Sequence, residues 1–197
     1  MKALFKSVFA VVAWAFCTAA SVSAQTSEFQ SFFLKVDGIL GESEVPGYED
    51  HIDVVSFKLG VEQKGVSDFG GGAGAGKSTF HPVRVFKYVD KASPALFLAC
   101  ATGKHIKSVV LKARKPGDPP HEYLTIKLED VLISGVNHES ADQDGSNILL
   151  ESVSLNFAKI EITYIPRNDD GSPGAPIKVA FDLKRNKVFV PVVPIPL

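Results

Sequence analysis

Residues Gly71 to Ser78 spell Gly-Gly-Ala-Gly-Ala-Gly-Lys-Ser, a string typical of loops that hold nucleotide phosphates. Such a P-loop binds phosphates through backbone N–H groups of the loop and of the helix that follows it. Here the string is followed by Thr79-Phe80-His81-Pro82-Val83-Arg84-Val85, in which the proline and the alternating β-branched residues favour a strand. We therefore expect no nucleotide binding and interpret this stretch as a glycine-rich arm.

Other residues that could bind metals are isolated from one another. Residues 142–147 are acidic, but Asn147 and Val153 stand where a calcium-binding EF-hand loop needs glycine and glutamate, so an acidic turn is predicted. The histidines show no spacing typical of a zinc site, and we interpret each as a surface or interface residue. They are His51, His81, His105, His121 and His138.

We find no arrangement of residues typical of nucleophilic catalysis. The sequence has no Gly-x-Ser-x-Gly string, and Cys100 lies in an apolar stretch where a buried, inert thiol is expected. Glu129 and Asp130 are neighbours in a predicted strand, so their side chains should point to opposite faces. The sequence therefore predicts no catalytic residues, no metal and no cofactor, and we expect a protein that is not an enzyme.

The composition is that of a globular domain. Of 197 residues, 45% are hydrophobic and 22% are charged, and the net charge is −1. The chain is too apolar for a disordered tail, and it lacks the positive excess with which nucleic-acid-binding proteins neutralise phosphates. We therefore expect no nucleic-acid partner.

The first 24 residues have the features of a secretory signal peptide. Lys2 and Lys6 precede an apolar run from Val8 to Ala20, and small residues lead to a predicted cleavage between Ala24 and Gln25. The apolar run is about 13 residues long, shorter than the roughly 20 that a transmembrane anchor needs. We therefore expect a protein secreted to the periplasm or the medium, with no membrane insertion after cleavage.

Cleavage also changes the charge and the cysteine content. A lipoprotein signal at Cys17 is disfavoured by the bulky Phe16 before it. Because the leader holds two lysines and no acidic residue, the 21 basic residues fall to 19 against 22 acidic ones, and the net charge becomes −3. Cys100 is then the single cysteine, so an internal disulfide is impossible and the core must stabilise the domain.

Most of the remaining chain alternates apolar and polar residues with the period of β-strands. One helix is predicted, with Ser93 as its cap, a body from Leu96 to Thr102, and Gly103 at its end. The sequence therefore predicts a mainly β fold, a two-sheet β-barrel or sandwich with one flanking α-helix. Predicted strands cover residues 31–37, 57–62, 81–89, 109–114, 124–129, 149–165 and 176–190.

Three segments depart from a simple barrel pattern. Apolar residues within 149–165 change parity, which predicts either a bulge near Ala158 or a strand that buries its second half elsewhere. Residues 64–79 form a glycine-rich loop long enough to be functional. Residues 189–197 are nearly all Val, Pro, Ile and Leu. We accordingly divide the chain into a leader (1–24), a β-rich domain (25–188) and an apolar tail (189–197).

Several strings along the chain carry a family resemblance. They include Phe33-Leu34-Lys35-Val36-Asp37-Gly38-Ile39, Leu98-Ala99-Cys100-Ala101-Thr102-Gly103-Lys104-His105-Ile106, and Tyr123-Leu124-Thr125-Ile126-Lys127-Leu128-Glu129-Asp130-Val131. With residues 89–94, 151–160 and the glycine-rich run, these strings resemble the Hcp family, the haemolysin-coregulated tube proteins of bacterial type VI secretion. The similarity extends from about Phe32 to Lys187.

The resemblance implies two packed β-sheets with a flanking helix, and six-membered rings of identical copies that stack into a hollow tube. It also implies a structural role, with self as the main partner and a type VI spike protein and effectors as further partners. Two features differ from the family, namely the cleaved leader and the apolar tail beyond the family's usual end.

We predict that self-assembly uses the glycine-rich arm, the second half of 149–165 and the tail. In the tail, alternate residues share one apolar face and Pro194 and Pro196 lie on the other parity, so we expect it to add a strand to a neighbouring copy. The predicted assembly residues are Phe69, Gly71, Gly76, Lys77, Ile160, Ile162, Val193, Ile195 and Leu197.

The function expected from these features is an exported Hcp-like structural protein that forms rings, tubes or filaments outside the cytoplasm. One alternative is a type VI tube subunit that carries effectors. Another is a monomeric exported binding module or effector on the same fold.

Overall fold

The computed structural model describes residues 30–63, 78–117, 119–143 and 146–189. The predicted leader, most of the glycine-rich arm and the tail after Phe189 lie outside this part of the chain. The described residues form twelve strands and one helix. In chain order these are β1 (Ser31–Val36), β2 (Ile52–Val54), β3 (Ser56–Lys58), β4 (Val61–Glu62), β5 (Thr79–Phe80), β6 (Val83–Tyr88), α1 (Ser93–Thr102), β7 (His105–Lys115), β8 (His121–Gln143), β9 (Ser146–Asn156), β10 (Lys159–Tyr164), β11 (Ile177–Asp182) and β12 (Lys187–Val188).

Strand β8 is 23 residues long and belongs to both sheets, so it connects them. Its first half, up to Leu132, pairs with β7 and, through residues 124–129, with β10. Its second half pairs with β9 as far as Gln143. One sheet therefore has the strand order β12-β11-β10-β8-β7-β1-β2, and the other has the order β8-β9-β6-β3.

The two sheets form a sandwich that is not closed into a barrel. Strand β2 pairs with β1, and β3 pairs with β6, so the chain changes sheets at Val55 between them. The mainly β, two-sheet fold with one helix is thus confirmed in its sandwich form. One cluster of buried side chains from both sheets forms the core, including Leu34, Leu111, Ile126, Val85, Val153 and Leu155.

Helix α1 packs on β8 and buries Leu96 and Ala99. It ends at Gly103, whose φ of 64° is the left-handed conformation expected of a helix stop. The prediction that Ser93 caps the helix is wrong, since Ser93 is its first residue and Ala92 precedes it without a side-chain cap. The Ser93 hydroxyl is instead used in a buried charged cluster described below.

The parity change within residues 149–165 comes from a transfer of the chain between sheets. Strand β9 pairs with β6 and the second half of β8, whereas β10 pairs with β11 and the first half of β8. Between them, the Ala158 N–H donates to the Glu129 carbonyl oxygen at 3.0 Å. Neither alternative holds in full: the segment divides into two strands that pair in different sheets, but Ile160 in the second strand still belongs to the same core cluster as Val153 and Leu155.

Candidate assembly surfaces

An apolar groove of about 300 Å³ lies between the β4–β5 hairpin and the strands β10, β11 and β12. Residues directly opposite one another in paired strands project from the same face of a sheet. Ile160 lies opposite Phe181, Ile162 opposite Val179, and Phe181 opposite Val188, and together these residues form one wall. Val61 and Phe80 of the hairpin form the other wall, together with Leu59, which precedes β4.

Two segments predicted to mediate assembly begin beside this groove. Strand β4 ends at Glu62 and β5 begins at Thr79, so the glycine-rich arm connects the two strands of the hairpin. On the opposite side, the N–H of Phe189 donates to the Ala180 carbonyl oxygen at 3.3 Å, next to the start of the tail. The groove therefore lies close to the origins of both segments.

Two of the predicted assembly residues belong to the described part of the chain. Ile160 is 5% exposed and belongs to the core cluster, whereas Ile162 is half-buried. Both line the groove, across from the β4–β5 hairpin of the same chain, and their part in assembly stays a prediction. The other predicted residues lie outside the described residues: Phe69, Gly71, Gly76, Lys77, Val193, Ile195, Leu197, and the cleavage pair Ala24 and Gln25.

A second groove, of about 660 Å³, is lined by charged side chains at the bend of β8. Asp130 has a φ of 53°, which interrupts the alternation of side chains, and both Glu129 and Asp130 line this groove. The prediction that these two carboxylates point to opposite faces is wrong for that reason. They bind different cations, since Glu129 pairs with Lys127 at 2.8 Å and Asp130 pairs with Lys184.

The ion pairs of this charged groove stabilise the ionised forms of its side chains. Hydrogen bonds from Lys184 and then His105 hold the pKa of Asp130 below its ordinary value. The hydrogen bond from Lys127 lowers the pKa of Glu129 and outweighs the opposing effect of partial burial. The same bonds raise the pKa values of Lys127 and Lys184. The charges thus neutralise one another in pairs at the bend of β8.

Lys87 and Glu151 form a buried ion pair at the start of α1. Both side chains are 0% exposed, and Lys87 Nζ lies 2.8 Å from Glu151 Oε2. Lys87 also pairs with Asp90 at 2.8 Å, and the Ser93 hydroxyl donates to Glu151 Oε2 at 2.7 Å. Glu151 Oε1 has no hydrogen-bond partner among the described residues and lies 3.4 Å from His138 Nε2. The pair joins strands β6 and β9 to the helix.

The sequence analysis missed this buried pair, although the sequence carries a signal for it. Lys87 has the parity of the buried Val83 and Val85 in β6, and Glu151 has the parity of Val153 in β9. The strand register then places Lys87 directly opposite Glu151. Opposite charges on the buried faces of neighbouring strands predict an ion pair, because an unpaired buried charge is costly.

The histidines lie apart from one another. The prediction that each is a surface or interface residue is wrong for His51 and His121, which are buried within the chain itself at 8% and 7% exposure. A ring nitrogen of each is close to a backbone oxygen, at 3.1 Å from Glu49 for His51 and 3.0 Å from Ile165 for His121. Cys100 is half-buried against the core.

The described ranges hold neither a metal-ligand cluster nor a membrane-spanning helix. Within them, no three potential metal ligands lie close enough to share an ion. Among the same residues, no helix has both the length and the apolar character needed to cross a bilayer.

Several large apolar side chains are exposed to water. Phe97 and Leu98 on α1 are 57% and 62% exposed, and Tyr88 and Leu149 at the ends of β6 and β9 are 48% and 49% exposed. A hydrogen bond from the Val89 N–H to the Leu149 carbonyl oxygen joins the chain after β6 to β9 beside these two residues. Exposed apolar residues that lie near one another are typical of association surfaces.

The chain is similar to proteins of bacterial type VI secretion. A family model described as "Type VI secretion system effector, Hcp" matches residues 33–164. "Protein hcp1" of Pseudomonas aeruginosa is 37% identical over 156 residues, which cover 78% of this chain and 95% of that protein. The "Major exported protein" of the same organism is 29% identical over 140 residues, covering 68% of this chain and 80% of that one.

The fold is also similar to that of a solved relative. The crystal structure of Hcp1 from Salmonella typhimurium superimposes with a TM-score of 0.66 at 32% sequence identity. The match covers 81% of this chain and 99% of the Salmonella chain. The similarity therefore includes nearly the whole of that relative and leaves out part of this chain.

Proposed function

The chain belongs to the Hcp family of type VI secretion effectors, and from this we propose that it is a structural protein that assembles with its own copies into rings. The rings, each expected to hold six copies, stack into tubes or filaments. The observation that carries this proposal is the similarity over residues 33–164, which include most strands of both sheets. The exposed apolar residues on α1 and at the ends of β6 and β9 support it, because assembly would cover them.

The proposal includes export through a cleaved leader. Residues 1–24 direct secretion, cleavage leaves Gln25 at the N terminus, residues 25–188 form the assembling domain, and residues 189–197 form its tail. A relative named "Major exported protein" supports an extracellular location. No enzymatic step is part of this function.

A second candidate is a type VI tube subunit that assembles before export and carries effectors. The family match favours it, because the matching family is itself one of type VI secretion. The two candidates differ at the N terminus, since a tube subunit assembled in the cytoplasm would retain Met1.

One experiment tests assembly and export together. The protein is purified from the medium or periplasm of cells that produce the full chain, its N-terminal residue is identified by mass spectrometry, and the particles are imaged by negative stain. We expect Gln25 at the N terminus and rings of uniform diameter. A monomeric solution mass would contradict assembly, and rings formed by protein that retains Met1 would favour the tube subunit.

A further inference from the structure

The described residues leave open the apolar groove between the β4–β5 hairpin and β10–β12. None of the described residues that line it has a charged side chain, and at its mouth Val61 and Val188 are each 57% exposed. Inside it, the rings of Phe80 and Phe181 stack with their centroids 5.3 Å apart. Such a surface is unfavourable in water, so a ligand of matching apolar character would stabilise it.

We propose that residues 193–197 of a second copy of this chain occupy this groove. This inference rests on the proposed self-assembly and names the segment that links two copies. Residues 190–197 read Val-Pro-Val-Val-Pro-Ile-Pro-Leu and contain no polar side chain. Proline-rich segments dock into grooves lined by aromatic rings, because proline restricts the unbound segment and little conformational entropy is lost on binding.

The direction of the chain at Phe189 favours the groove of another copy. Val188 lies opposite Phe181, and the Phe189 N–H bonds to Ala180, so the chain still follows the edge of β11 at this point. The same register would place Val192 opposite Ile177, where β11 begins. If the tail kept this direction, residues 193–197 would lie beyond the start of β11, and five extended residues could reach roughly 16 Å past it.

The glycine-rich arm is a poorer occupant for the same groove. Although it starts at the hairpin, residues 64–77 contain only Val66 and Phe69 as large apolar residues. The tail, by contrast, presents Val193, Ile195 and Leu197 on one face when extended, which suits a groove whose walls are apolar on both sides.

The proposal is tested by disulfide cross-linking between two separately purified variants of the full chain. One carries Val61→Cys at the mouth of the groove, the other carries Leu197→Cys, and Cys100→Ser removes the native thiol from both. Because each protein has one cysteine after cleavage, a Val61-to-Leu197 disulfide can form only between copies. Val55→Cys is the matched control, since Val55 is also an exposed valine, at 47%, and does not line the groove.

Under mild oxidation, the measured product is the mixed dimer, in which the cysteine at position 197 of one copy is joined to the cysteine at position 61 or 55 of the other. We expect about tenfold more mixed dimer with Val61→Cys than with Val55→Cys, because docking raises the local concentration of the tail. Equal yields, or no dimer, would overturn the proposal. A chain that carries both Val61→Cys and Leu197→Cys provides a second readout. A disulfide that forms only within that chain would show that the tail binds its own groove, which also overturns the proposal.

Imaging of the same proteins separates this inference from the proposed function. Rings without the Val61-to-Leu197 disulfide would leave ring assembly standing and contradict docking of the tail. The disulfide without rings would support docking and contradict the ring.

Discussion

At the scale of single residues, the pair Lys87–Glu151 gives a sharp test of the core. Lys87→Met leaves the carboxylates of Glu151 and Asp90 without their buried cation, so we expect the free energy of unfolding to fall by about 3–5 kcal/mol. The double variant Lys87→Met/Glu151→Leu removes both charges of the pair and should be less destabilised than Lys87→Met alone. Urea unfolding followed by circular dichroism measures both values. A single variant as stable as the parent would contradict the role given to this pair.

Glu122 makes stability depend on acid pH. Its burial raises its pKa, but hydrogen bonds from Lys112, Thr125 and Tyr48 outweigh this and hold the pKa below the ordinary value of 4.5. A carboxyl with a lowered pKa stabilises the folded state while ionised, so this stabilisation is present above about pH 4.5 and lost as the pH falls through the folded-state pKa.

The substitution Glu122→Gln should therefore flatten the loss of stability between about pH 6 and about pH 3. Unfolding in urea at several pH values gives the slope for each protein. Glu139→Gln, which changes an exposed carboxylate in the same strand, is the control. If both variants lose stability with the slope of the parent, Glu122 has no such role.

Sequence reasoning at this scale failed where a polar residue is satisfied by atoms distant in the chain. Ser93 was predicted as a helix cap because serine is favoured at that position. Its hydroxyl instead donates a hydrogen bond to Glu151, which is 58 residues away in the sequence. His121 can be buried since one of its ring nitrogens is satisfied by the carbonyl oxygen of Ile165, which is 44 residues away in the sequence. Local preferences contain no information about such partners.

At the scale of elements, the loop between β1 and β2 depends on a close backbone approach at Gly41. A Cβ atom at this position would lie 2.1 Å from the His51 carbonyl oxygen. We expect Gly41→Ala to lower the free energy of unfolding by about 1–3 kcal/mol, because the backbone of β2 would have to shift. Gly135→Ala is the control, since its nearest neighbour atom would be 3.8 Å away. Thermal unfolding of both variants checks this, and equal losses would contradict it.

The existence of most strands could be predicted from alternation, but their lengths and breaks could not. Residues 124–129 were predicted as a strand, whereas β8 continues to Gln143 because β9 pairs with it along its second half. Residues 57–62 were predicted as one strand, but the structure divides them between β3, which pairs with β6, and β4, which pairs with β5. Alternation reports which face is buried and not which strand lies alongside.

At the scale of the whole molecule, the glycine-rich arm should affect assembly and not folding. It connects β4 and β5, which pair with each other and with neither sheet of the sandwich, so deletion of residues 67–76 should leave the circular dichroism spectrum unchanged. We expect rings or filaments to become fewer or shorter in negative-stain images. Replacing the same ten residues by a Gly-Ser repeat keeps the length and serves as the control. Normal assembly by the deletion variant would contradict this role.

Fold class and candidate site were not equally accessible from the sequence. Strand periodicity, one helix that ends at Gly103 and the family strings were enough to predict a two-sheet β fold with a flanking helix. Only part of the apolar groove could be predicted from the sequence. Ile160 and Ile162 were predicted as assembly residues. Val61, Phe80 and Phe181 were not, because the sequence does not specify which strands pair with their segments.

The pairing of β1 sets the order in which the chain can fold. Phe32 in β1 lies opposite Ala113 in β7. Strand β1 therefore cannot pair with β7 until more than half of the chain has been synthesised. Strand β7 in turn needs β8, and β8 needs both β9 and β10. Contacts between residues so far apart in sequence make folding slow. During synthesis, the domain can therefore close only once its second half has emerged.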